Sequence, residues 1–300
     1  MSSSQKTVLI TGCTPGGIGH ALALQFHAAN YHVIATARRA EVLDELAAMG
    51  MSAVSLDVTS SASIEKCKAQ VAKITGGTLD ILVNNAGLLY MLPATDIDMD
   101  GVRSTFETNV FGVMAMCQAF VPLLIPARGL VLQISSISAV AADLFASVYS
   151  ATKGALNAYS RSLRLELRPF AVRVMVAVTG TVKSRIAANV AAQSPLRLPE
   201  HSLYRPVEDV YAQRHRFSQE TVPMDTDVYA ARIVAQAVRG EGWMGGWLGG
   251  SPDWYWTGGL ARRTWLGQYL PTSWTEGLVA ALSENDEITK RIHAAQEKTA

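Results

Sequence analysis

The 300-residue sequence has little net charge and few residues of the kinds that bind metals or form disulfides. Its formal charge is +1, which gives no reason to expect nucleic acid as a partner. The three cysteines lie far apart and have no metal-binding spacing, which suggests a reducing compartment. The six histidines include no His-x-x-x-His pair, so we expect no bound metal.

Two kinds of apolar segment are also missing. The first residues, MSSSQK, lead directly into a strand-like run, so the sequence predicts no signal peptide. The segment 243–274 is rich in tryptophan but never reaches about eighteen uninterrupted apolar residues, the length of a membrane-spanning helix. We therefore expect a cytoplasmic protein, with peripheral contact at an intracellular membrane or lipid droplet as the alternative location.

Short apolar runs and helical patterns alternate regularly as far as residue 178. The runs show no apolar–polar alternation, as expected for strands of a parallel sheet covered on both faces. The sequence therefore predicts an α/β fold with a doubly wound parallel sheet, a Rossmann fold in three α/β/α layers. Strands are predicted at 8–11, 33–37, 53–56, 81–84, 130–135 and 172–178, and helices at 18–29, 41–49, 60–74, 102–125 and 147–168.

After residue 178 the regularity stops. Residues 181–223 contain four prolines and are interpreted as a substrate loop with short helices. A helix is predicted over 225–239, and all six tryptophans then fall between positions 243 and 274. We assign residues 1–240 to a Rossmann-type catalytic domain and residues 241–300 to a C-terminal Trp-rich extension.

The first predicted strand runs into a glycine-rich loop, TGCTPGGIG at 11–19, which opens the first helix. Glycines allow a backbone to approach a pyrophosphate closely, and a helix N-terminus offers unpaired N–H groups and positive potential. This strand–turn–helix setting favours a dinucleotide site over a turn without a ligand. The expected contacts are Gly12, Thr14, Gly17, Ile18 and Gly19.

The end of the second strand, VIATARR, indicates which dinucleotide binds. NAD-binding proteins usually place an acidic residue there to hold the ribose diol, and here Ala37 takes that position. Arg38 and Arg39 follow, and a guanidinium can bind a 2′-phosphate through two hydrogen bonds. The sequence therefore favours NADP(H), and two solvated arginines at a helix start are the alternative.

Ser136, Tyr149 and Lys153 are the most informative candidate catalytic residues. The serine precedes the tyrosine by thirteen residues, and the lysine follows it by four. The second spacing places the phenol and the ammonium on one face of a helix. A nearby ammonium favours the phenolate, so the pattern predicts a tyrosine of lowered pKa that exchanges a proton with a carbonyl/alcohol pair.

Taken together, the loop 11–19, the segment 84–87 (NNAG), Asn109 and the Ser–Tyr–Lys group resemble the short-chain dehydrogenase/reductase family over residues 7–184. Within that family the sequence is most similar to fungal NADPH-dependent 1-acyldihydroxyacetone phosphate reductases and their relatives. The segments that carry this closer resemblance are TGCTPGGIG, YMLPATDIDMDGVRSTFETNVFGVMAM, VTGTVKS, SLYRPVEDVYAQR and the Trp-rich tail.

The resemblance implies a role for each candidate catalytic residue. Tyr149 is the general acid in the reductive direction, and Lys153 lowers its pKa and holds the nicotinamide ribose. Ser136 binds the carbonyl oxygen, since the family spacing selects it over the neighbouring Ser135. Asn109 bends its helix and holds a water that relays protons to the lysine; outside this family context it would be a local helix cap.

The resemblance also implies further cofactor contacts. Asp57 accepts a hydrogen bond from the adenine amine, although an aspartate capping the next helix explains it nearly as well. Two departures from the family pattern occur: Thr179-Gly180 replaces the usual proline–glycine, and Pro15 stands in an extended glycine loop, which leaves Arg38 to bind most of the 2′-phosphate. The remaining expected contacts are Asn85, Ala86 and Gly87 at the adenosine ribose, and Thr181 and Val182 at the nicotinamide carboxamide, with Tyr149 and Lys153 shared.

The aromatic tail suggests a bulky lipophilic substrate and leaves its own role open. It is a lid over the substrate loop, a subunit contact, or a lipid-surface contact through 243–274 assisted by Arg262 and Arg263. A phosphate on the substrate would need a clamp, for which Arg185, Arg197 and Arg205 are candidates. Relatives in the family lead us to expect a homo-oligomer.

The leading functional hypothesis is an NADPH-dependent ketoreductase, acting on an acyl-dihydroxyacetone phosphate or on a ketone of fungal specialised metabolism. A second is an enzyme that uses the same fold for isomerisation or cyclisation without net redox change. A third is a cofactor-sensing binding protein that binds NADPH without turnover on any ketone.

Overall fold

The computed structural model of the protein describes residues 5–184, 197–242 and 249–298. Within these ranges the strands form one parallel sheet in the order β3-β2-β1-β4-β5-β6-β7. Helices cover both faces, so the predicted α/β/α arrangement is confirmed. The strands are β1 (Thr7–Ile10), β2 (His32–Ala37), β3 (Ser52–Ser55), β4 (Ile81–Asn84), β5 (Leu130–Ser136), β6 (Arg173–Thr179) and β7 (Trp254–Thr257).

The helices agree with the sequence prediction to within a few residues, apart from the predicted helix over 41–49. There a 3-10 turn at Ala40–Leu43 precedes a short α-helix. In chain order the described helices are α1 (Ile18–Ala28), α2 (Asp44–Ala48), α3 (Ser61–Thr75), α4 (Met99–Phe106), α5 (Gly112–Ala127), α6 (Ser147–Leu167), α7 (Glu208–Arg214), α8 (Phe217–Glu220), α9 (Thr226–Ala237), α10 (Ala261–Gly267), α11 (Thr272–Leu282) and α12 (Asn285–Glu297).

Each face of the sheet buries its own apolar cluster. On one face α1 and α9 pack through side chains that include Phe26 and Ile233. On the other face α3, α5 and α6 pack through Val71, Phe120 and Leu163. The continuous helix 99–127 is long and apolar enough to cross a membrane by composition, but most of its buried apolar side chains belong to this second cluster.

The strand order places β1 next to β4, where the direction of the crossovers reverses. In an open parallel sheet such a switch point creates a crevice beyond the carboxyl ends of the two strands. The glycine loop follows β1 and the segment 84–87 follows β4. The fold therefore brings the two predicted cofactor segments to the same crevice.

Strand β7 was not predicted from the sequence. Residues 254–257 (WYWT) pair in parallel with β6, from Val176 opposite Trp254 to Thr179 opposite Thr257. Aromatic residues favour half-buried strands, but the flanking glycines obscured this short run. The assigned boundary at residue 240 therefore does not coincide with the edge of the sheet, because part of the extension belongs to it.

Glycines make the junction between β6 and β7 possible. A Cβ on Gly180 would lie 1.9 Å from the carbonyl oxygen of Gly259, so no side chain fits there. Gly258 has φ +103°, a conformation that favours glycine. The contact with the tail thus requires the glycine of Thr179-Gly180, which the family pattern shares, and does not account for Thr179 in place of proline.

The tail also packs on the substrate loop. Ile288 of α12 is buried against Val207 and Val210 of that loop. Arg291 donates two hydrogen bonds to the Asp209 carboxylate, at 2.6 and 2.9 Å. The described tail thus contacts the loop through α12, whereas Trp254 of β7 lies against the guanidinium groups of two arginines on α6.

Candidate active site

Strand β5 and helix α6 bring the candidate catalytic residues together at the carboxyl edge of the sheet. Ser136 is the last residue of β5, and Tyr149 and Lys153 occupy the first two turns of α6. The neighbouring Ser135 points elsewhere, since its hydroxyl donates to the Asn157 side chain at 2.6 Å. The structure thus places Ser136, and not Ser135, beside the tyrosine.

Lys153 is buried, with 6% of its surface exposed. Its Nζ donates to the carbonyl oxygen of Ile134 at 2.9 Å and lies 5.7 Å from the centroid of the Tyr149 ring. A Cβ added to Gly87 would be 3.8 Å from this nitrogen. The ammonium therefore lies between the tyrosine and the segment after β4.

The pKa of the tyrosine does not follow the sequence prediction. Burial raises the pKa of the Tyr149 phenol to about 12, although the Ser136 hydroxyl lowers it in part. Burial also lowers the pKa of the Lys153 ammonium to about 8. The predicted lowering of the tyrosine pKa is therefore wrong for the protein by itself, because loss of water around each charged form is the largest effect.

Asn109 lies in a π-helical turn, Glu107–Phe111, that joins α4 to α5. Its side-chain oxygen accepts from the backbone N–H of Leu88 at 2.8 Å, and its amide donates to the Leu88 carbonyl at 2.8 Å. The amide also donates to the Thr152 hydroxyl at 3.0 Å. The irregular turn thus aims Asn109 at the loop after β4 and ties that loop to α6.

The glycine loop and the segment 84–87 lock together at the crevice. The Thr11 hydroxyl accepts from the backbone N–H groups of Asn85 and Ala86, each at 2.9 Å. The Asn85 side chain donates to the carbonyls of Thr11 and Gly12 at 2.8 and 3.1 Å. A Cβ on Gly19 would lie 2.4 Å from the Gly12 oxygen. The close backbone approach therefore requires glycine.

The start of α1 has the properties of an anion site. Gly17 is the N-cap residue with extended backbone, and no side chain caps the helix. The first turn contains no acidic residue, and Ile18 opens it. The backbone N–H of Gly17 donates to the carbonyl of Thr14 at 3.1 Å, so a tight turn leads into the helix. These residues fit the pyrophosphate of a dinucleotide.

Arg38 and Arg39 follow β2 and are exposed at the same edge of the sheet. Asp57, after β3, accepts from the backbone N–H and the hydroxyl of Thr59 at 2.9 and 2.7 Å. The pKa of this carboxyl is lowered by the Thr59 backbone contact and, less strongly, by Arg38. Ser60 caps α3, so Asp57 is not the helix cap considered from the sequence.

Thr181 and Val182 lie where the sheet, the substrate loop and the tail meet. The Thr181 hydroxyl donates to the backbone oxygen of Thr221 at 2.9 Å, and its N–H donates to the Gly259 oxygen at 2.8 Å. Val182 pairs with Met224. Both residues are buried. The end of the substrate loop and the tail thus hold their backbone in place after β6.

Two of the three arginines predicted for a phosphate clamp lie in the part of the chain that the structure describes. Arg205 donates to the Glu208 carboxylate at 2.7 Å, and Arg197 is exposed. Arg185 lies outside the described residues.

Sequence reasoning missed a different arginine, Arg214, whose guanidinium donates to Asp143 at 2.9 Å across 71 residues of chain. No spacing pattern connects two residues so far apart.

A cavity of about 330 Å³ lies between the loop after β5, the substrate loop and the tail. Most of its exposed lining is apolar, including Leu144, Phe145 and Val279. It begins beside Asp143, four residues from α6. The cavity reaches α6 at Ser147, two residues before Tyr149, and none of the three candidate catalytic residues lines it.

A glycine cradle at the switch point of a parallel sheet, next to a half-buried tyrosine with a buried serine and lysine, defines a dinucleotide-dependent oxidoreductase. A family model described as short chain dehydrogenase matches residues 6–195. The chain therefore belongs to the short-chain dehydrogenase family, whose members use a nicotinamide cofactor.

Individual relatives agree with this assignment. The chain is 42% identical to short-chain dehydrogenase PC-15 of Penicillium crustosum over 239 residues, covering 79% of this chain and 86% of that protein. It is 36% identical to an NADPH-dependent 1-acyldihydroxyacetone phosphate reductase of Schizosaccharomyces pombe, covering 89% and 90%. A crystal structure of a short-chain dehydrogenase from Streptomyces avermitilis superposes with a TM-score of 0.75 at 29% identity, covering 96% and 98%.

Proposed function

We propose that the protein reduces a ketone of a bulky lipophilic substrate to a secondary alcohol with NADPH. The observation that carries this proposal is the half-buried Tyr149 held between the buried Ser136 and Lys153, beside the glycine cradle. A phenol held in its protonated form next to a serine hydroxyl is suited to protonate a developing alkoxide.

Each residue then has a defined task. When bound, the reduced nicotinamide supplies the hydride. Tyr149 donates its proton to the substrate oxygen, and Ser136 donates a hydrogen bond to the same oxygen, a contact typically worth ~3 kcal/mol in the transition state. Lys153 would hold the nicotinamide ribose hydroxyls. Asn109 binds the backbone of Leu88 and the Thr152 hydroxyl, and so holds the segment after β4 next to the helix that carries Lys153.

Three features support NADP(H) as the cofactor. Arg38 and Arg39 are exposed at the end of β2, where a ribose 2′-phosphate would lie. Ala37 stands in place of the acidic residue that holds the NAD ribose. The relative from Schizosaccharomyces pombe is named as NADPH-dependent.

The substrate proposal depends on the apolar cavity and on the same relative. Its name indicates an acyl-dihydroxyacetone phosphate as one candidate, and a neutral ketone of fungal specialised metabolism is the other. Of the arginines predicted to bind a phosphate, Arg205 pairs with Glu208 and Arg197 is exposed, while Arg185 lies outside the described residues. The cavity therefore favours recognition of an apolar chain over recognition of a charge.

The test is NADPH consumption with 1-palmitoyl-dihydroxyacetone phosphate and with a panel of neutral long-chain ketones, with alcohol products identified by mass spectrometry. We expect turnover with at least one ketone and its loss in Tyr149→Phe. Near wild-type turnover in that variant would contradict the mechanism. Substrate isomerised without NADPH consumption would indicate the non-redox hypothesis, and NADPH binding with no conversion would indicate a cofactor sensor.

We also propose a peripheral lipid contact, shifted from the segment considered in the sequence. On α11, Trp274, Leu278 and Leu282 recur every fourth residue and are 68%, 61% and 72% exposed. Arg262 and Arg263 on α10 are exposed nearby in the chain. Flotation with anionic vesicles tests this location by comparing the intact protein with the double variant Trp274→Ala/Leu278→Ala. Equal flotation of both proteins, or no flotation of the wild type, would contradict it.

The homo-oligomer expected from the sequence stays a prediction.

A further inference from the structure

A chain of polar contacts leads away from the catalytic serine. Ser138 holds Ser136 twice: its backbone N–H donates to the Ser136 hydroxyl at 3.1 Å, and the two hydroxyls lie 3.2 Å apart. The Ser138 hydroxyl donates to one oxygen of Asp143 at 3.1 Å. Arg214 donates to the other oxygen at 2.9 Å. The substrate-loop helix α7 is thus connected to the catalytic serine through three side chains.

The ion pair at the end of this chain is well shielded. The side chains of Arg214 and Asp143 are 11% and 28% exposed, whereas most ion pairs among the described residues have at least one partner beyond 50%. The guanidinium also lies 4.1 Å from the centroid of the Phe217 ring. Shielding from water strengthens the attraction and limits the motion of both partners.

The direction of the hydrogen bonds follows from the chemistry of the groups. An ionised carboxylate only accepts, so Ser138 must donate its proton to Asp143. The Ser138 oxygen is then free to accept from Ser136 until a substrate oxygen takes over that proton. The chain therefore fixes the position of the Ser136 oxygen through two contacts with Ser138, and only the hydroxyl proton has to turn towards a bound substrate oxygen.

We propose that Asp143 and Arg214 form a positioning pair that orients Ser136 through Ser138 and couples the substrate loop to the catalytic centre. This inference rests on the proposed ketoreductase function. Neither residue contacts the reacting atoms, so they are positioning residues. The substrate loop is a natural control point, because α7 also receives the tail helix α12 through Asp209.

The charges around Tyr149 give the proposal a distinctive readout. The groups that face it are Lys153 on its own helix, Ser136 and Asp143 from β5 and the loop that follows, and the Tyr229 phenol of α9. Asp143 raises the pKa of Tyr149, whereas Arg214 offsets that charge. Removing the carboxylate and removing the guanidinium must then shift the pKa in opposite directions.

The experiment compares Asp143→Asn, Arg214→Gln and Ser138→Ala with Arg216→Gln. The last removes an arginine of the same loop that pairs with Glu220 at 3.2 Å but is 69% exposed. We expect kcat with the best ketone of the panel to fall roughly 10- to 100-fold in the first three, with unchanged NADPH affinity. The alkaline limb of kcat/KM should move by about 0.5 pH unit, down in Asp143→Asn and up in Arg214→Gln.

A second measurement is independent of turnover. Hydrogen exchange of the peptide covering 137–146 should accelerate in Arg214→Gln and Asp143→Asn but not in Arg216→Gln. If wild-type protein turns over no ketone, the proposed function fails, and this exchange still tests the pair. Exchange equal to that of Arg216→Gln, or pH limbs that move together or not at all in an active enzyme, would overturn the positioning pair.

Discussion

The cofactor half and the substrate half of the molecule are held together by different kinds of contact. Around the glycine loop, backbone atoms approach so closely that Gly19 leaves no room for a side chain, and Gly12 has φ +75°, which favours glycine. Around the substrate loop, side chains make the contacts: Asp143 with Arg214, Asp209 with Arg291 and Ile288 in an apolar cluster. The first half is therefore expected to tolerate almost no change, and the second to be adjustable to different substrates.

The largest expected effect comes from adding one methyl group to the cofactor half. In Gly19→Ala the Cβ would lie 2.4 Å from the Gly12 oxygen and 2.5 Å from the Asn85 amide. We expect NADPH affinity to fall roughly 100-fold or more, measured by NADPH fluorescence. Gly277→Ala on α11 is the matched control, since its Cβ meets nothing within 4 Å. Equal NADPH binding by both variants would remove the contrast between the halves.

The second effect concerns Lys153, which lies between the two halves. Its folded pKa is about 8 and its ordinary value is 10.5, so in that window the unfolded chain binds more protons. Stability should therefore rise with pH between these values, by up to ~3 kcal/mol. Lys153→Met should lack this rise, measured by urea unfolding at several pH values. If the free energies of unfolding of both proteins changed with pH in the same way, the lowered pKa of Lys153 would be contradicted.

The third effect tests whether the substrate half can be weakened by itself. Ile288→Ala should lower the free energy of unfolding by about 2 kcal/mol, because a 4% exposed side chain is removed from the contact with the substrate loop. KM for a bulky ketone should rise while NADPH affinity stays unchanged. Ile74→Ala on α3, at 42% exposure, is the control. A parallel loss of NADPH affinity would show that the halves are not separable.

The smallest effect distinguishes cofactors within the cofactor half. Arg38→Gln should weaken NADPH binding about 10-fold, since one charge-assisted contact is worth ~1.5 kcal/mol. NADH binding should not change, because NADH has no 2′-phosphate. Comparing the two dissociation constants in each protein checks this. Equal weakening for both cofactors would assign Arg38 a structural role instead of a phosphate contact.

The sequence predicts the cofactor half of the molecule better than the substrate half. The glycine loop at 11–19 could be placed between a strand and a helix from the sequence, because local backbone geometry determines such a turn. The spacing of Tyr149 and Lys153 could be placed on one helix face for the same reason. Arg214 and Asp143 are 71 residues apart and meet only through tertiary packing, so no local pattern shows them. The raised pKa of Tyr149 is a result of burial, which a spacing between two residues does not reveal.

Strand β7 was missed for a related reason: four aromatic-rich residues become a strand only because β6 lies beside them. Its position in the chain has a consequence for any shortened form of the protein. A chain that ends before residue 254 would leave the seven-residue β6, buried in the intact sheet, as a bare edge. Unpaired apolar edges recruit strands from other molecules, so such a truncation should aggregate. The segment 254–257 thus covers an edge of β6 that would otherwise be open to other molecules.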